Sequence, residues 1–329
     1  MRGRHRIRSP ASPGGRLETL AVVFDEPQVV AVRSLSLVDP GPGDVVVQVD
    51  FSGISTGTER LLWSGTMPFF PGLGYPLVPG YEAVGRVLRA GPESGRAEGD
   101  WVFVAGSKGF LEARGLFGAQ ARTIVVPGTR AFALPESTAD QGVLFSLAAT
   151  AQHALAMHAT PPDLIVGHGA LGRLLARLVM ASGAPAPTVW EINPTRRDGA
   201  TGYTVIDPAS DARKDYGSIC DVSGAPGLLD TLIGRLAKGG EIVLAGFYHE
   251  PVQFTFPPAF MREMRLRIAA EFRPDDLAAI HTLVASGALD LDGLITHRRM
   301  ADQADDAYQT AFGDATCIKM VLDWRTTPS

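Results

Sequence analysis

Cysteine is scarce in this chain. Only Cys220 and Cys317 occur among 329 residues, which excludes a disulfide framework or a cysteine-built zinc lobe and points to a reducing compartment, the cytoplasm. Long apolar runs are also missing. The richest region, Leu144 to Ala159, is broken by Gln152, His153 and His158, so no segment suits a membrane span. Residues 1 to 16 lack acids altogether: Arg2, Arg4, Arg6, Arg8 and Arg16 stand among Pro10, Pro13, Gly14 and Gly15, with few apolar side chains to order the segment. It reads as a disordered basic arm, as a transit-like leader, or as an extension upstream of a start at Leu17. Removing those five positive charges from the formal −5 leaves a body at −10, which argues against nucleic acid as the main partner. There is no internal repeat. What is abundant is apolar content, 45% of the residues, enough for two domains with cores of their own.

The most informative stretch is Leu164-Ile165-Val166-Gly167-His168-Gly169-Ala170-Leu171-Gly172. Its apolar start suits a buried strand, and Leu174, Leu175, Leu178 and Val179 then recur at helical spacing. A Gly-x-Gly-x-x-Gly turn between strand and helix can admit a pyrophosphate against bare backbone. Gly167, His168, Gly169, Leu171 and Gly172 are therefore candidate dinucleotide contacts. A second strand, Thr188 to Ile192, delivers Glu191 nineteen residues after Gly172, where a carboxylate meets the ribose hydroxyls of NAD. The alternative is a glycine turn that only packs, with Glu191 a solvated strand end. Arg196 and Arg197 stand close enough in sequence to attract a 2′-phosphate instead, although Glu191 favours NAD.

Upstream, short strands set off by glycine or proline are expected at Leu20 to Phe24, Val45 to Val49, Val84 to Leu88, Trp101 to Ala105 and Thr123 to Val126. They suggest a compact β-rich domain. Leu61 to Tyr81, with Trp63, Phe69, Phe70 and Tyr75 among glycines and prolines, reads as a shaped loop: a substrate wall or ordinary packing. From about Ser137 the period changes to a helix over Ala139 to Ala159. Strands then alternate with helices, at 164–167, 188–192, 204–207, 219–222, 241–246 and 266–271, the pattern of a parallel sheet. Helices at Asp275 to Gly287 and Asp302 to Gly313 and a strand at Ile318 to Leu322 close the chain.

The phrases Gly53-Ile54-Ser55-Thr56-Gly57-Thr58-Glu59, Pro79-Gly80-Tyr81-Glu82-Ala83-Val84-Gly85, Gly99-Asp100-Trp101-Val102 and Lys238-Gly239-Gly240-Glu241-Ile242-Val243 flank the glycine turn in a familiar order. The chain resembles the medium-chain dehydrogenase/reductase superfamily over residues 17 to 329. That resemblance implies an α/β protein with a GroES-like catalytic domain at 17–136, a Rossmann NAD-binding domain at 137–270 and a return to the catalytic domain at 271–329. Within the superfamily, Ser52 to Gly65, Tyr75 to Glu82 and Ala245-Gly246-Phe247-Tyr248 resemble the bacteriochlorophyllide dehydrogenases. The reaction implied is oxidation of a 3-(1-hydroxyethyl) group on the tetrapyrrole to 3-acetyl, with NAD as hydride acceptor. Similar proteins dimerise through the sheet edge near 241–271, so a homodimer is expected.

Zinc-dependent members carry a cysteine at the position of Ser55, a histidine at Tyr81 and a third ligand near Ser146. Neutral hydroxyls are poor zinc ligands, so no metal is expected. A free alcohol then sits roughly nine pK units above neutrality, an alkoxide cost of about 12 kcal/mol. The proton must therefore leave with the hydride. Tyr81 is the first candidate to handle it, with Ser55, Thr56 and Thr58 as relay or positioning groups; the alternative is a tyrosine that only fills the space of a lost ligand. Glu59 and Glu82 are possible bases, and Glu82 serves equally as a carboxylate that holds a neighbour. His153 is a catalytic candidate beside the nicotinamide or a satisfied core histidine, and His168 is expected to matter through its backbone N–H more than its ring. Trp63, Phe69, Phe70, Tyr75, Phe110 and Phe117 are available to stack on a macrocycle, and Arg60, Lys108, Arg114 and Arg122 to meet its propionate. Two other readings stay open: an NADPH-linked, zinc-free quinone or enone reductase, and a pigment carrier without chemistry.

Overall fold

A computed structural model describes residues 16–326, so the basic-arm expectation falls outside the described residues except at Arg16. The first part of the chain runs β1 (Glu18–Glu26), β2 (Val29–Ser36), β3 (Asp44–Ile54), α1 (Thr58–Ser64), β4 (Leu77–Val78), β5 (Ala83–Ala90), β6 (Trp101–Val104), β7 (Arg114–Gly115), β8 (Thr123–Pro127) and β9 (Ala131–Ala133). The second runs α2 (Phe145–Met157), β10 (Leu164–Val166), α3 (Ala170–Ala181), β11 (Thr188–Trp190), β12 (Thr204–Ile206), β13 (Tyr216–Asp221), α4 (Leu229–Arg235), β14 (Leu236–Leu244), α5 (Phe256–Met261) and β15 (Arg265–Ile268). The chain closes with α6 (Pro274–Ala285), β16 (His297–Met300), α7 (Ala304–Gly313) and β17 (Met320–Asp323).

β3 is the axis of the first part. Its Val-rich sequence is buried on both faces, antiparallel β5 lies along one edge, and β8 and β17 share the other. The sheet runs β16-β17-β3-β5-β6-β9, and a smaller sheet β2-β1-β4-β7 packs against it. Val22, Phe24, Val45, Val47, Val104, Ile124 and Leu322 fill the core between them. Register slips between Val46 and Val47 and between Val49 and Phe51 bend β3, as bulges do in closed β structures.

The second sheet is wholly parallel in the order β12-β11-β10-β13-β14-β15. The order reverses between β10 and β13, which opens a crevice beyond their carboxyl ends, the place where open α/β sheets take ligands. α3 follows β10 and turns Leu174, Leu175, Leu178 and Val179 inward, as their spacing predicts.

Several details differ from the sequence reading, beginning with the helix expected at 139–159: residues 136–144 form a 3₁₀ stretch and α2 starts at Phe145. β2 is an additional strand, half exposed and carrying Arg33, Ser34 and Ser36, so it shows no clean alternation. Residues 61–64 of the expected loop belong to α1, which ends where Gly65 takes φ 73 and returns its N–H to Leu61 and Leu62. β11 ends at Trp190, which leaves Glu191 just past the strand. Finally, α6 stays with the second part: Leu277 and Ile280, followed by Leu289, Leu291 and Leu294, join the core beneath α2 and α3. The return to the first sheet is made by β16 and β17, later than residue 271.

Candidate active site

The end of β3 and the start of α1 deliver Ser55, Thr56, Thr58 and Glu59 together. The chain before β5 brings Tyr81 and Glu82 alongside, because the Gly53 N–H donates to the Glu82 carbonyl at 2.7 Å. Tyr81 Oη donates to Ser55 Oγ, and Thr58 Oγ1 lies 3.4 Å from Tyr81 Oη. Thr56 is half-buried and adds no side-chain hydrogen bond to this trio among the described residues. Burial, reinforced by Glu82, pushes the Tyr81 phenol well above its ordinary pKa, so the hydroxyl stays protonated at any working pH.

Beneath the trio lies Glu59, fully buried. Its Oε1 accepts the Ser55 N–H at 2.8 Å, and its Oε2 accepts the Tyr308 hydroxyl at 2.6 Å. Desolvation raises its pKa to about 8 against the pull of those two bonds. Glu82 contacts the ammonium of Lys319, the residue just before β17. Both are at least 99% buried, and neither carboxylate nor ammonium finds a second polar partner among the described residues. Burial raises the Glu82 pKa and Lys319 opposes that rise. Glu82 is thus a partner in a buried ion pair.

Tyr308 and Lys319 escaped the sequence reading, although each left a trace. Lys319 interrupts the apolar run Cys317-Ile318-Lys319-Met320-Val321-Leu322, where a charge needs a counter-ion. Tyr308 falls on the helical face of Ala304, Ala307 and Ala311, where a buried hydroxyl needs an acceptor.

The structure does not bring His153 into this cluster. It lies on the face of α2 that meets α6, with Nδ1 3.1 Å from Asp276 Oδ2, and Asp276 also accepts the Arg273 N–H at 2.7 Å. Its Nδ1 joins the two helices. Ser146 is buried in α2 and makes no recorded bond to Ser55 or Tyr81 among the described residues.

Of the six aromatics considered for stacking, Phe70 and Phe117 approach the trio. Phe117 meets Tyr81 edge-on with centroids 5.4 Å apart, and Phe70 meets Phe117 at 6.0 Å. Phe110 is core, Trp63 packs on Phe312, the Tyr75 hydroxyl caps the Leu62 carbonyl, and Phe69 is 93% exposed. Arg60, Lys108 and Arg114 are exposed and Arg122 half-buried.

In the second part of the chain the glycine turn follows β10 at the switch point. Gly167 has φ 104, and a Cβ on Gly172 would stand 1.9 Å from the Gly167 carbonyl oxygen, so turn and helix close directly on each other. A Cβ on Gly169, at the N-terminus of α3, would meet nothing, which is the open space a pyrophosphate needs. Leu171 is half-buried in the first turn of that helix. Glu191 Oε2 accepts the His168 N–H at 3.1 Å and Oε1 the Asn193 N–H at 2.8 Å, each oxygen keeping a lone pair. The far wall is Asp221, bound by Ser223 and the Tyr248 hydroxyl.

Two further groups border the turn. The His168 ring is fully engaged, with Nδ1 2.6 Å from the Arg196 carbonyl and Nε2 2.8 Å from the Tyr203 hydroxyl, because its backbone N–H turns to Glu191. The guanidiniums of Arg196 and Arg197 both contact protein groups, Arg196 through Nε alone. Arg196 Nε donates to the Ala315 carbonyl at 2.8 Å, and Arg197 binds the Glu191 and Ile192 carbonyls and Asp207.

A crossed parallel sheet with a glycine turn at its switch point, joined to a β domain with a buried polar cluster, defines a two-domain dehydrogenase of the medium-chain superfamily. The alcohol dehydrogenase GroES-like domain matches residues 41–136. Over 311 residues the chain is 57% identical to the 2-desacetyl-2-hydroxyethyl bacteriochlorophyllide A dehydrogenase of Rhodobacter capsulatus, covering 94% of this chain and 99% of that protein. The protein of the same name from Cereibacter sphaeroides is 56% identical over 317 residues, covering 94% and 100%. Among solved structures, an alcohol dehydrogenase of E. coli CFT073 complexed with NADH superposes with a TM-score of 0.80 at 20% identity, covering 94% of this chain and all of that one. The chain belongs to the bacteriochlorophyllide dehydrogenase family of oxidoreductases.

Proposed function

We propose that this chain oxidises the 3-(1-hydroxyethyl) group of a bacteriochlorophyllide to 3-acetyl in bacteriochlorophyll a biosynthesis, with NAD as coenzyme and without zinc. The names of both relatives support the substrate. The observation that carries the chemistry is the hydrogen bond from Tyr81 Oη to Ser55 Oγ, set beside Phe117.

The hydroxyls of Ser55, Tyr81 and Ser146 do not suit zinc. Two of them are bonded to each other, and burial keeps the Tyr81 phenol from becoming the anion a metal would want. NAD, when bound, supplies a hydride acceptor for the carbinol carbon. Tyr81 handles the proton: its Oη gives its own hydrogen to Ser55 Oγ and so offers lone pairs to the carbinol O–H. Tyr81 stays a neutral phenol throughout: as its Oη takes up the carbinol hydrogen it passes one to a neighbouring hydroxyl, and half-buried Thr58, beside Tyr81 Oη, releases a hydrogen to solvent water, the final acceptor. Such positioned proton transfer contributes roughly 10²- to 10⁴-fold. Glu59 holds the Ser55 backbone and thereby sets the angle of the hydroxyl chain. Phe70 and Phe117 offer ring edges to the macrocycle, and the exposed Arg60, Lys108 and Arg114 are the cations for its propionate.

Gly167, Gly169 and Gly172 would admit the pyrophosphate and Glu191 the ribose hydroxyls. Glu191 favours NAD, and the engagement of Arg196 Nε by Ala315 and of Arg197 by Glu191, Ile192 and Asp207 weakens their claim on a 2′-phosphate. The parallel sheet ends in an exposed edge, β15, with Phe256, Phe260, Met261 and Ile268 at 65–70% exposure beside it, the surface for a homodimer. Among the described residues no helix is long and apolar enough to cross a membrane, and the cytoplasm is the proposed site of action.

The test follows the absorption spectrum of 3-hydroxyethyl bacteriochlorophyllide with the purified protein and either coenzyme. A time-dependent shift to the acetyl pigment, faster with NAD, is expected. Tight pigment binding without any shift would instead mark a carrier.

A further inference from the structure

The glycine turn carries a histidine, His168, that is completely buried. A carbonyl can only accept, so the 2.6 Å contact with the Arg196 oxygen requires the hydrogen on Nδ1, and Nε2 then accepts from the Tyr203 hydroxyl at 2.8 Å. Both polar atoms are satisfied by one neutral tautomer, and burial lowers the ring's pKa to about 4, which keeps it neutral. Arg173, one helical turn into α3, completes the clamp. Its Nε donates to the His168 carbonyl at 3.1 Å, and its Nη2 donates to the carbonyls of Arg196 and Asp198 at 3.1 and 2.7 Å. The loop 193–203 is thereby tied to the glycine turn from both ends.

That loop carries the cations which would otherwise choose the coenzyme. With the Arg196 carbonyl held by His168 and Arg173, its side chain points to Ala315, far along the chain, and donates there at 2.8 Å. Glu191, which accepts the backbone N–H of the same His168, stays the group presented beside the turn. An aliphatic residue at 168 could supply neither ring bond.

We propose that His168, with Arg173 and Tyr203, is a positioning residue for coenzyme selection: it locks loop 193–203 so that Arg196 stays on Ala315 and a 2′-phosphate finds no cation. This rests on the reading that the enzyme uses NAD. Loss of the clamp releases Arg196 toward the ribose site, where a charge-assisted bond to phosphate changes affinity by about tenfold or more.

The experiment compares kcat and KM for NAD and NADP in the wild type, His168→Ala, and His168→Ala combined with Arg196→Ala, with direct coenzyme titration beside the kinetics. The NAD:NADP ratio of kcat/KM is expected to fall about tenfold or more in His168→Ala, mainly through a lower KM for NADP, and to recover in the double variant. If both coenzymes weaken together and the ratio stays put, His168 is only structural and the inference fails. If the wild type itself prefers NADP, the NAD reading fails, independently of the clamp. Should His168→Ala not fold, Tyr203→Phe removes one bond of the clamp; a ratio shifted in the same direction supports it and an unchanged ratio overturns it.

Discussion

Replacing Lys319 by methionine removes one charge from a pair that water does not reach. Glu82 is 0% exposed and Lys319 1%, and neither has another polar partner among the described residues. Breaking such a pair by deleting one partner costs about 3–5 kcal/mol, because the remaining carboxylate is buried alone. An unfolding entropy of roughly 2.1 cal/mol/K per residue scales to about 0.7 kcal/mol/K for a chain of this length, so the loss corresponds to about 4–7 °C in Tm. The deficit has a pH signature. The Glu82 pKa already lies above its ordinary value, and without the ammonium nothing opposes desolvation, so it rises further. The folded variant then holds a proton that the unfolded chain releases, and its stability falls as pH climbs from the unfolded carboxylate pKa toward the folded one. Thermal melts of wild type and Lys319→Met at pH 5.5 and pH 8.5 should show the gap widening with pH. Adding Glu82→Met should restore most of the stability, since an apolar pair of similar volume is well tolerated there. A single variant as stable as wild type at both pH values, or a double variant no better than the single one, would refute the reasoning.

Tyr81→Phe should lower kcat by about 10²- to 10⁴-fold while pigment affinity, read by spectral titration, is kept; unchanged turnover removes Tyr81 from the scheme. Glu59 is protonated in the folded protein up to about pH 8, from an ordinary 4.5, so its environment lends stability that is full at low pH and is lost as pH rises to that value. The Tm of wild type relative to Glu59→Gln should therefore fall between pH 5 and pH 9, and an inflection near pH 8 in the wild-type turnover profile should vanish in the variant. Parallel profiles for the two proteins would count against Glu59 as the titrating group.

The parallel sheet was readable because its strands are short apolar runs separated by helical periods, and a buried strand has no other chemistry to show. Tyr81, Ser55 and Thr58 were found together because they lie in two recognisable phrases separated by only nineteen residues. Tyr308 and Lys319 were not, since their partners lie 249 and 237 positions earlier and nothing local in α7 or β17 names them. His153 stood open between a catalytic and a core reading. Its place on the helix entering the second sheet suited a catalytic role, while the carboxylate that occupies it arrives 123 residues later. Arg196 and Arg197 sat at the right distance from Glu191 in sequence, but a flexible side chain goes to the nearest unsatisfied carbonyl, and the fold supplied several.

The placement of β17 also bears on how the protein is made. Residues 51–54 of β3 pair with residues 320–323, and Trp324 donates its indole N–H to Ser52 at 2.8 Å. A ribosome synthesising this chain therefore releases β3 with the last third of one edge bare, and that stretch waits for nearly the whole message to be translated. The nascent first part is a sheet with an open seam during that interval, exposed to pairing with a neighbouring copy on the same polysome. Chain completion acts as the latch, so a stalled or truncated product carries an unfinished catalytic sheet even where its nucleotide half has already folded.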